Sequence, residues 1–350
     1  MGKIRVAING YGTIGRRVAD AILKQDDLEL VGVTKRSPDF RCDEAREKGI
    51  PMYALSDAEA FRAKGHDVSG NLTDLLSKAD IVVDCAPKHI GAENKEIYLK
   101  FPKLKAIFQG GEKDGIAETS FNSHSNYEKA EGKRFVRVVS CNTTALCRVI
   151  NQLQRFRVRK VRVAVVRRTV DPGESKEALL NSWEPKMGFP SHHAVDVKAI
   201  FPDVRISSLA GIAPMTLMHG HMLFAELESK PSKEEVLKIL TQNSRIRAVS
   251  ADNGYLTTAQ IKDYAEANGR RGNTYEVCVW KEGIGVDEEG ELGMHLAIDQ
   301  QAIVVPENID AIRAMFKLMS KAESIEKTDA SLGIPEHRKA KAIAIQREHS

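Results

Sequence analysis

The chain has 350 residues, of which 42% are hydrophobic and 29% charged; it is too long for one ordinary core, and two domains of a soluble globular protein are expected. No apolar run approaches the roughly 18 residues a membrane helix needs, and a net charge of +4 is too small a bias to argue for nucleic acid, though it suits anionic small molecules. The five cysteines, Cys42, Cys85, Cys141, Cys147 and Cys278, are odd in number and form no CxxC pair, which argues against a zinc ribbon or disulfide framework and for a reducing cytoplasm.

In chain order, 3–8 reads as a buried strand, followed by a glycine-rich turn and a helix over 14–24. Further strands are expected at 28–35 and 81–85, a helix at 90–100, and short strands at 105–108 and 135–139. Strands alternating with helices predict right-handed crossovers and a parallel sheet, the doubly wound α/β pattern of a Rossmann domain. Beyond residue 150 the texture changes: 161–166, 206–209, 222–227 and 275–280 predict strands of a mixed or antiparallel sheet, so the second domain is expected to be α+β. Ser232 with Glu235 three residues on forms a capping box ahead of a helix to Leu240. A last helix is expected over 307–319. The expected organisation is a dinucleotide-binding domain at 1–140, completed by a C-terminal helix at 302–333, a catalytic domain at 141–301, and a basic tail at 334–350.

The first strand ends in Asn9-Gly10-Tyr11-Gly12-Thr13-Ile14-Gly15. This is GxGxxG between a strand and a helix. Gly10 permits the tight turn, Gly12 lets the backbone approach a pyrophosphate, and Gly15 allows close helix–strand packing. The helix N-terminus supplies amides and partial positive charge to the phosphates. No acid stands at the end of the second strand to bind a ribose 2′-hydroxyl; Thr34, Lys35 and Arg36 stand there instead. A carboxylate would repel a 2′-phosphate and Lys35 or Arg36 would attract it, so NADP is expected to be accepted, alone or beside NAD.

Ser140-Cys141-Asn142-Thr143-Thr144 follows the strand at 135–139 and precedes a helical run at 145–152. A cysteine at a helix start meets free amides and the helix dipole, which favour thiolate near neutral pH. The same amides can stabilise an oxyanion on a substrate carbonyl. Thiolate is both a strong nucleophile and a good leaving group, as a thioacyl intermediate requires. Cys147, on the same helix, is expected only to pack.

Asn-Gly-Tyr-Gly-Thr-Ile-Gly-Arg at 9–16, Gln-Gly-Gly-Glu-Lys at 109–113, Ser-Cys-Asn-Thr-Thr at 140–144, Val-Val-Arg-Arg at 165–168, Pro-Ser-His-His at 190–193, Thr-Leu-Met-His-Gly-His at 216–221 and Val-Val-Pro-Glu-Asn-Ile-Asp-Ala-Ile-Arg at 304–313 occur in this order. Over about residues 1–320 the chain resembles the archaeal-type glyceraldehyde-3-phosphate dehydrogenases. The resemblance implies phosphorylating oxidation of glyceraldehyde 3-phosphate to 1,3-bisphosphoglycerate with a nicotinamide dinucleotide and inorganic phosphate, in a homotetramer; the composition adds the expectation of a cytoplasmic location and of no membrane or nucleic-acid partner. It implies Cys141 as nucleophile and His219 as general base. It implies cofactor contacts from Thr13, Ile14, Gly111, Arg168 and Gln300, and substrate contacts from Ser140, Asn142, His192 and His193. Arg167 and Thr143 are anion binders by their chemistry. Two departures stand out: Thr169-Val170-Asp171-Pro172 replaces the family's usual wording after Arg168, and the chain beyond about Ile334 is longer than the family pattern.

Side chains alternate along a strand, so His219 and His221 share a face. No third ligand stands at a spacing suited to a metal, and no metal site is expected. A histidine titrating near neutrality suits proton transfer; His221 is expected to be structural. The basic run Arg155, Arg157, Arg159, Lys160, Arg162 lacks an aromatic platform and reads as a solvated face or subunit contact. Two rival readings remain: an acyl-phosphate enzyme like aspartate-semialdehyde dehydrogenase, and a dinucleotide sensor without activity. The Thr-Leu-Met-His-Gly-His run speaks against the first and the Cys141–His219 pair against the second.

Overall fold

The structure, a computed structural model, describes residues 2–109, 111–172 and 179–335. Most of the expected basic tail, from residue 336 on, lies outside the described residues. The chain divides into two compact units: Met1–Ser140 with Val305–Ser331, and Cys141–Val304 with 332–335.

In the first stretch, β1 (Ile4–Asn9) leads into α1 (Thr13–Ile22), β2 (Leu28–Lys35), α2 (Phe40–Glu47) and β3 (Met52–Ala54). The short helices α3 (Ala58–Arg62) and α4 (Leu72–Leu76) precede β4 (Ile81–Asp84), α5 (Gly91–Leu99) and β5 (Lys105–Gln109). Then come β6 (Thr119–Phe121), α6 (Ser123–Asn126) and β7 (Phe135–Val138). All pairings are parallel, in the order β3-β2-β1-β4-β5-β7-β6. The central strands are apolar on both faces, with Val6, Ala7, Ile8, Val82, Val83, Ala106 and Ile107 all buried, as in a parallel sheet covered by helices on each side. Strand order reverses direction between β1 and β4, which opens a crevice at their carboxyl ends. Two glycines shape that crevice. Gly10 takes φ +105°, and a Cβ on Gly15 would stand 2.0 Å from the Gly10 carbonyl oxygen, so only glycine lets α1 start this close to β1.

The second unit holds α7 (Cys141–Leu153), β8 (Val158–Arg168), β9 (Glu184–Lys186), α8 (His192–Ile200), β10 (Ile206–Ala213) and β11 (His219–Leu227). It continues through α9 (Lys233–Leu240), β12 (Ile246–Val249), α10 (Thr258–Ala265), β13 (Val277–Trp280), β14 (Gly285–Val286) and β15 (Glu291–Ile298). The sheet order is β12-β13-β15-β11-β8-β10-β9, with β14 beside β15. It is mixed: β8 and β10 run parallel, as do β12 and β13, and the other pairs are antiparallel. β11 alternates in burial: His219, His221, Leu223, Ala225 and Leu227 face inward, while Met222 and Phe224 are exposed. α7 packs against β8, β15, α8 and α9. Arg148 anchors it: its buried guanidinium donates to the Tyr275 carbonyl at 2.6 Å and the Ile303 carbonyl at 3.0 Å. A buried cation is tolerated there because its donors are matched by carbonyl oxygens. The expected basic run becomes an ion-paired face, with Arg157 and Arg159 near Glu228 and Arg162 between Glu226 and Glu291.

The chain then returns to the first unit through α11 (Val305–Met315) and most of α12 (Lys321–Leu332). One helix was expected over 307–319. Instead α11 stops at Met315 and Lys317 turns left-handed at φ +53°, which ends a helix as firmly as glycine does. Arg313 of α11 ties this return to the turn between α1 and β2, donating to both Asp27 carboxylate oxygens at 2.9 Å and to Gln25 at 2.7 Å.

Candidate active site

Cys141 is the first residue of α7 and is partly exposed, whereas Asn142 to Ile150 behind it are buried. The helix therefore begins four residues earlier than its apolar run suggests. Burial pushes the Cys141 thiol above its ordinary value; Arg167, the Asn142 amide, Arg168 and its own amide pull the other way without cancelling it. The expected thiolate at neutral pH is thus corrected. The helix-mouth amides act as anticipated, but removing water from the sulfur outweighs them.

His219 opens β11. Its ring lies one step beyond the Gly220–Val166 pair, opposite the end of β8 where Arg167 and Arg168 stand. The Arg168 backbone N–H donates to His219 Nδ1 at 3.0 Å. Desolvation holds the His219 ring well below the usual histidine range, and His221, Arg168, Arg167 and His193 add to that. Arg167 and Arg168 therefore act on both the Cys141 thiol and the His219 ring. With Nδ1 accepting, the neutral ring carries its proton on Nε2. That is the tautomer of a donor, so a general base at Nε2 would first have to give up the Arg168 bond.

Asn142 joins the remaining histidines. His221 Nε2 lies 2.8 Å from Asn142 Oδ1, and Asn142 Nδ2 lies 3.3 Å from His193 Nε2. His193 Nδ1 lies 3.1 Å from Ser191 Oγ, which is 2.6 Å from Ser208 Oγ. His192 is exposed and stacks on His193, ring centroids 3.9 Å apart. Ser140 is partly exposed at the end of the first unit. Thr143 is fully buried in the first turn of α7, with nothing open to an approaching anion, and its expected anion-binding role is not carried further.

A second cluster gathers Arg168 and Gln300 through a residue the sequence reading did not single out. Asp171 pairs with Arg168 at 2.9 Å and accepts from Gln300 at 3.4 Å and Gln301 at 3.3 Å. Arg167 Nε, Arg168 Nε and Gln300 Oε1 are buried without hydrogen-bond partners among the described residues. Buried polar atoms are normally satisfied, so these are atoms a polar ligand would complete. Among the described residues no group of His, Cys, Asp or Glu could hold a metal.

In the first unit, α1 carries Gly12 at its N-cap, with no side-chain cap and no acid in its first turn. A Cβ on Gly12 would meet nothing within 4 Å. This open, uncapped helix mouth fits a pyrophosphate held on backbone amides. Thr13 and Ile14 are partly exposed at its lip, as is Gly111 beyond β5. Asn9 braces the turn from below: it accepts from Thr34 Oγ1 at 2.7 Å and donates to Tyr98 at 2.7 Å, while Gly10 N–H donates to Thr34 Oγ1 at 2.9 Å. The Thr34 hydroxyl at the end of β2 is therefore buried and spent within the turn. Lys35 is held by Asp39 at 2.8 Å, and the same carboxylate takes Arg41 at 2.9 Å. Burial opposes the charge on Asp39, but Lys35, the Arg41 amide and Arg41 outweigh it and hold the carboxyl below its ordinary value. The acid missing from the end of β2 is thus supplied four residues later, at the N-cap of α2.

The family profile described as "Glyceraldehyde 3-phosphate dehydrogenase, C-terminal domain" matches residues 140–283. The profile "Dihydrodipicolinate reductase, N-terminus" matches residues 4–109. A glyceraldehyde-3-phosphate dehydrogenase of Archaeoglobus fulgidus is 50% identical over 338 residues, covering 95% of this chain and 99% of that protein. Those of Thermococcus kodakarensis and Methanococcoides burtonii are each 47% identical, over 335 and 339 residues. The chain belongs to the glyceraldehyde-3-phosphate dehydrogenase family. The resemblance read from the ordered motifs is borne out, and so is the pairing of a parallel Rossmann sheet with a second, mixed one.

In a glyceraldehyde-3-phosphate dehydrogenase the two cations at the end of β8 have a direct consequence for the thiol. Arg167 is the largest influence lowering the Cys141 value. Replacing it by Leu is expected to move thiol ionisation to higher pH, because less opposite charge favours the neutral form. The rate of Cys141 alkylation by iodoacetamide at pH 7 should then fall severalfold and recover as pH rises. An unchanged alkylation profile would show that Arg167 does not act on the sulfur.

Proposed function

We propose that this chain oxidises glyceraldehyde 3-phosphate to 1,3-bisphosphoglycerate, with inorganic phosphate as acyl acceptor. The observation that carries the reading is Cys141, a partly exposed residue at the mouth of α7, whose thiol is influenced by the same two cations, Arg167 and Arg168, as the His219 ring. The three relatives reported above are named for this substrate.

The Cys141 thiol gives its proton to solvent water, and the thiolate adds to the aldehyde carbon, forming a C–S bond and leaving an oxyanion. His219 Nε2–H donates to that oxyanion, which is the role its tautomer allows. When bound, the nicotinamide dinucleotide supplies the hydride acceptor. Oxidation at the carbon leaves a thioester on Cys141. A phosphate oxygen then attacks the thioester carbonyl, the C–S bond breaks, and Cys141 leaves as thiolate. Arg167, His192 and Asn142 hold the phosphate groups and the substrate chain, and Arg168 with Gln300 orients the dinucleotide. Gly12, Thr13, Ile14 and Gly111 line its pyrophosphate, on the turn that Gly10 and Gly15 shape.

Lys35 bears on the choice between NADP and NAD. An Asp39→Asn variant keeps the α2 cap through its side-chain oxygen but releases Lys35 and Arg41 from their shared carboxylate. The kcat/KM ratio for NADP over NAD is expected to rise on the order of 10-fold, since one charge removed near a phosphate is worth about 1–2 kcal/mol at a partly exposed site. An unchanged ratio would place the 2′-phosphate away from Lys35.

The same reading includes a homotetramer in the cytoplasm. The apolar outer side of the second sheet, with Leu209, Met222 and Phe224 exposed, supports self-association. The five cysteines are free thiols, which suits a reducing compartment. The function is tested by reduction of NADP or NAD with glyceraldehyde 3-phosphate in the presence and absence of phosphate. Turnover that requires phosphate is expected; turnover indifferent to phosphate would make the reaction a hydrolytic oxidation.

A further inference from the structure

The hydrogen bonds around Asn142 form one buried chain: His221, Asn142, His193, Ser191 and Ser208, with links of 2.8, 3.3, 3.1 and 2.6 Å. Four of its members are under 4% exposed, His221 and His193 at 1%, Ser208 at 2% and Asn142 at 3%, and Ser191 is at 7%. Such a chain can run in either of two directions. An amide flip at Asn142 and a tautomer change at each histidine convert one into the other. The direction matters, because it decides whether Asn142 offers its carbonyl or its amino group on each side.

The end at His221 breaks the tie. Its Nδ1 is buried with no hydrogen-bond partner among the described residues. If the chain donated toward His221, Nδ1 would carry a buried proton with nothing to receive it. If His221 donates from Nε2, Nδ1 is a bare lone pair instead. Orphaned buried N–H groups are rarer than under-used acceptors, so the second direction is favoured. A doubly protonated His221 is excluded over the working range, since burial pushes its value down to about 3. At the far end Ser208 accepts from the Ala194 amide at 3.2 Å and donates to the Ser191 carbonyl at 3.4 Å, which leaves its hydroxyl oxygen to receive the Ser191 proton.

We propose that His221 is a positioning residue: its Nε2–H holds the Asn142 carbonyl, turns the Asn142 amino group toward His193, and so sets the polarity of the whole chain. His193 then carries its proton on Nδ1 and gives it to Ser191. Both His193 nitrogens are spent within the protein, and the second N–H of Asn142 is the donor left for substrate. The inference rests on the reading of Asn142 as a substrate contact next to Cys141; its first test does not. His221 hydrogen-bonds Asn142 and touches no reacting atom.

Nitrogen-15 histidine spectra of the intact, unliganded protein read the tautomers directly. The expected pattern is Nε2–H at His221 and Nδ1–H at His193; the opposite pair overturns the proposal whether or not the chain turns over glyceraldehyde 3-phosphate. Kinetics give the second test. His221→Phe is expected to raise KM for glyceraldehyde 3-phosphate roughly 10-fold with kcat nearly unchanged, as coupled neighbours do, while cofactor binding stays as in the parent. His221→Gln, which keeps an N–H donor, should restore most of the loss. In an Asn142→Ala background His221→Phe should cost nothing further; additive losses would show that His221 works by another route. Should His221→Phe fail to fold, the spectra of the parent protein still decide.

Discussion

Cys141→Ser is expected to lose glyceraldehyde 3-phosphate oxidation by on the order of 10⁴-fold or more, because a hydroxyl is far less ionised than a thiol and the acyl intermediate loses its good leaving group. The substitution changes one atom at the mouth of α7. The helix keeps its anchor, since Arg148 still reaches the Tyr275 and Ile303 carbonyls. Dinucleotide affinity, measured by fluorescence titration, should therefore stay within error of the parent. This combination separates the account from a sensor, which would lose nothing. Residual turnover near the parent level would remove Cys141 from the chemistry. Cys147, buried on the same helix, should be replaceable by Ala at a cost in stability only.

His219 carries the second large effect, and its size depends on what the ring does. His219→Ala should lower kcat/KM by about 10²–10³-fold, the usual cost of removing one oxyanion donor. The accepting Nδ1, held by the Arg168 amide at 3.0 Å, makes a distinction possible. If the ring acts by donating from Nε2, His219→Gln keeps an N–H and should recover part of the loss. If the ring acts as a base, Gln is no better than Ala. The pH profile adds a check. Burial first, then the neighbouring histidines and arginines, hold His219 well below the ordinary histidine range, so it stays neutral and in its donor form throughout the neutral region. The thiol is raised instead, and only its deprotonated form attacks. The rate should therefore climb with pH along one alkaline limb belonging to Cys141, with no acid limb near neutrality. A bell centred near pH 7 would return the histidine to a titrating role.

How much of this was legible in the sequence depends on the range of the interaction. β2 reads at its full extent, Leu28–Lys35, because its run is apolar and bounded by turns on both sides. The capping box of α9 was equally plain: Ser232 and Glu235 satisfy each other locally. β15 was missed. Its apolar Leu292, Met294, Leu296 and Ile298 do alternate with Glu291, Gly293 and His295, but Gly290 and Gly293 punctuate the run as a turn would, although it is an inner strand of the mixed sheet. The break between α11 and α12 was missed because no glycine marks it; Lys317 adopts the left-handed turn unaided.

At the site, local spacing placed Cys141 at a helix start and His219 beside His221 on one strand. It could say nothing of partners distant in sequence. Asp171 reaches Gln300 across 129 residues, and His221 reaches Asn142 across 79. Asp39 lies only four residues from Lys35, yet its pairing depends on where α2 begins, which no period in the sequence announces. The thiol's direction of shift was misjudged for a related reason. A helix mouth is visible in sequence, whereas desolvation belongs to the packed protein.

The most direct measurement is mass spectrometry of the intact chain, quenched after mixing with glyceraldehyde 3-phosphate and oxidised dinucleotide but no phosphate. A phosphoglyceroyl adduct on the Cys141 peptide, discharged when phosphate is added, is the predicted result. Reduced dinucleotide formed with no adduct at Cys141, or with an adduct on another residue, would contradict the account.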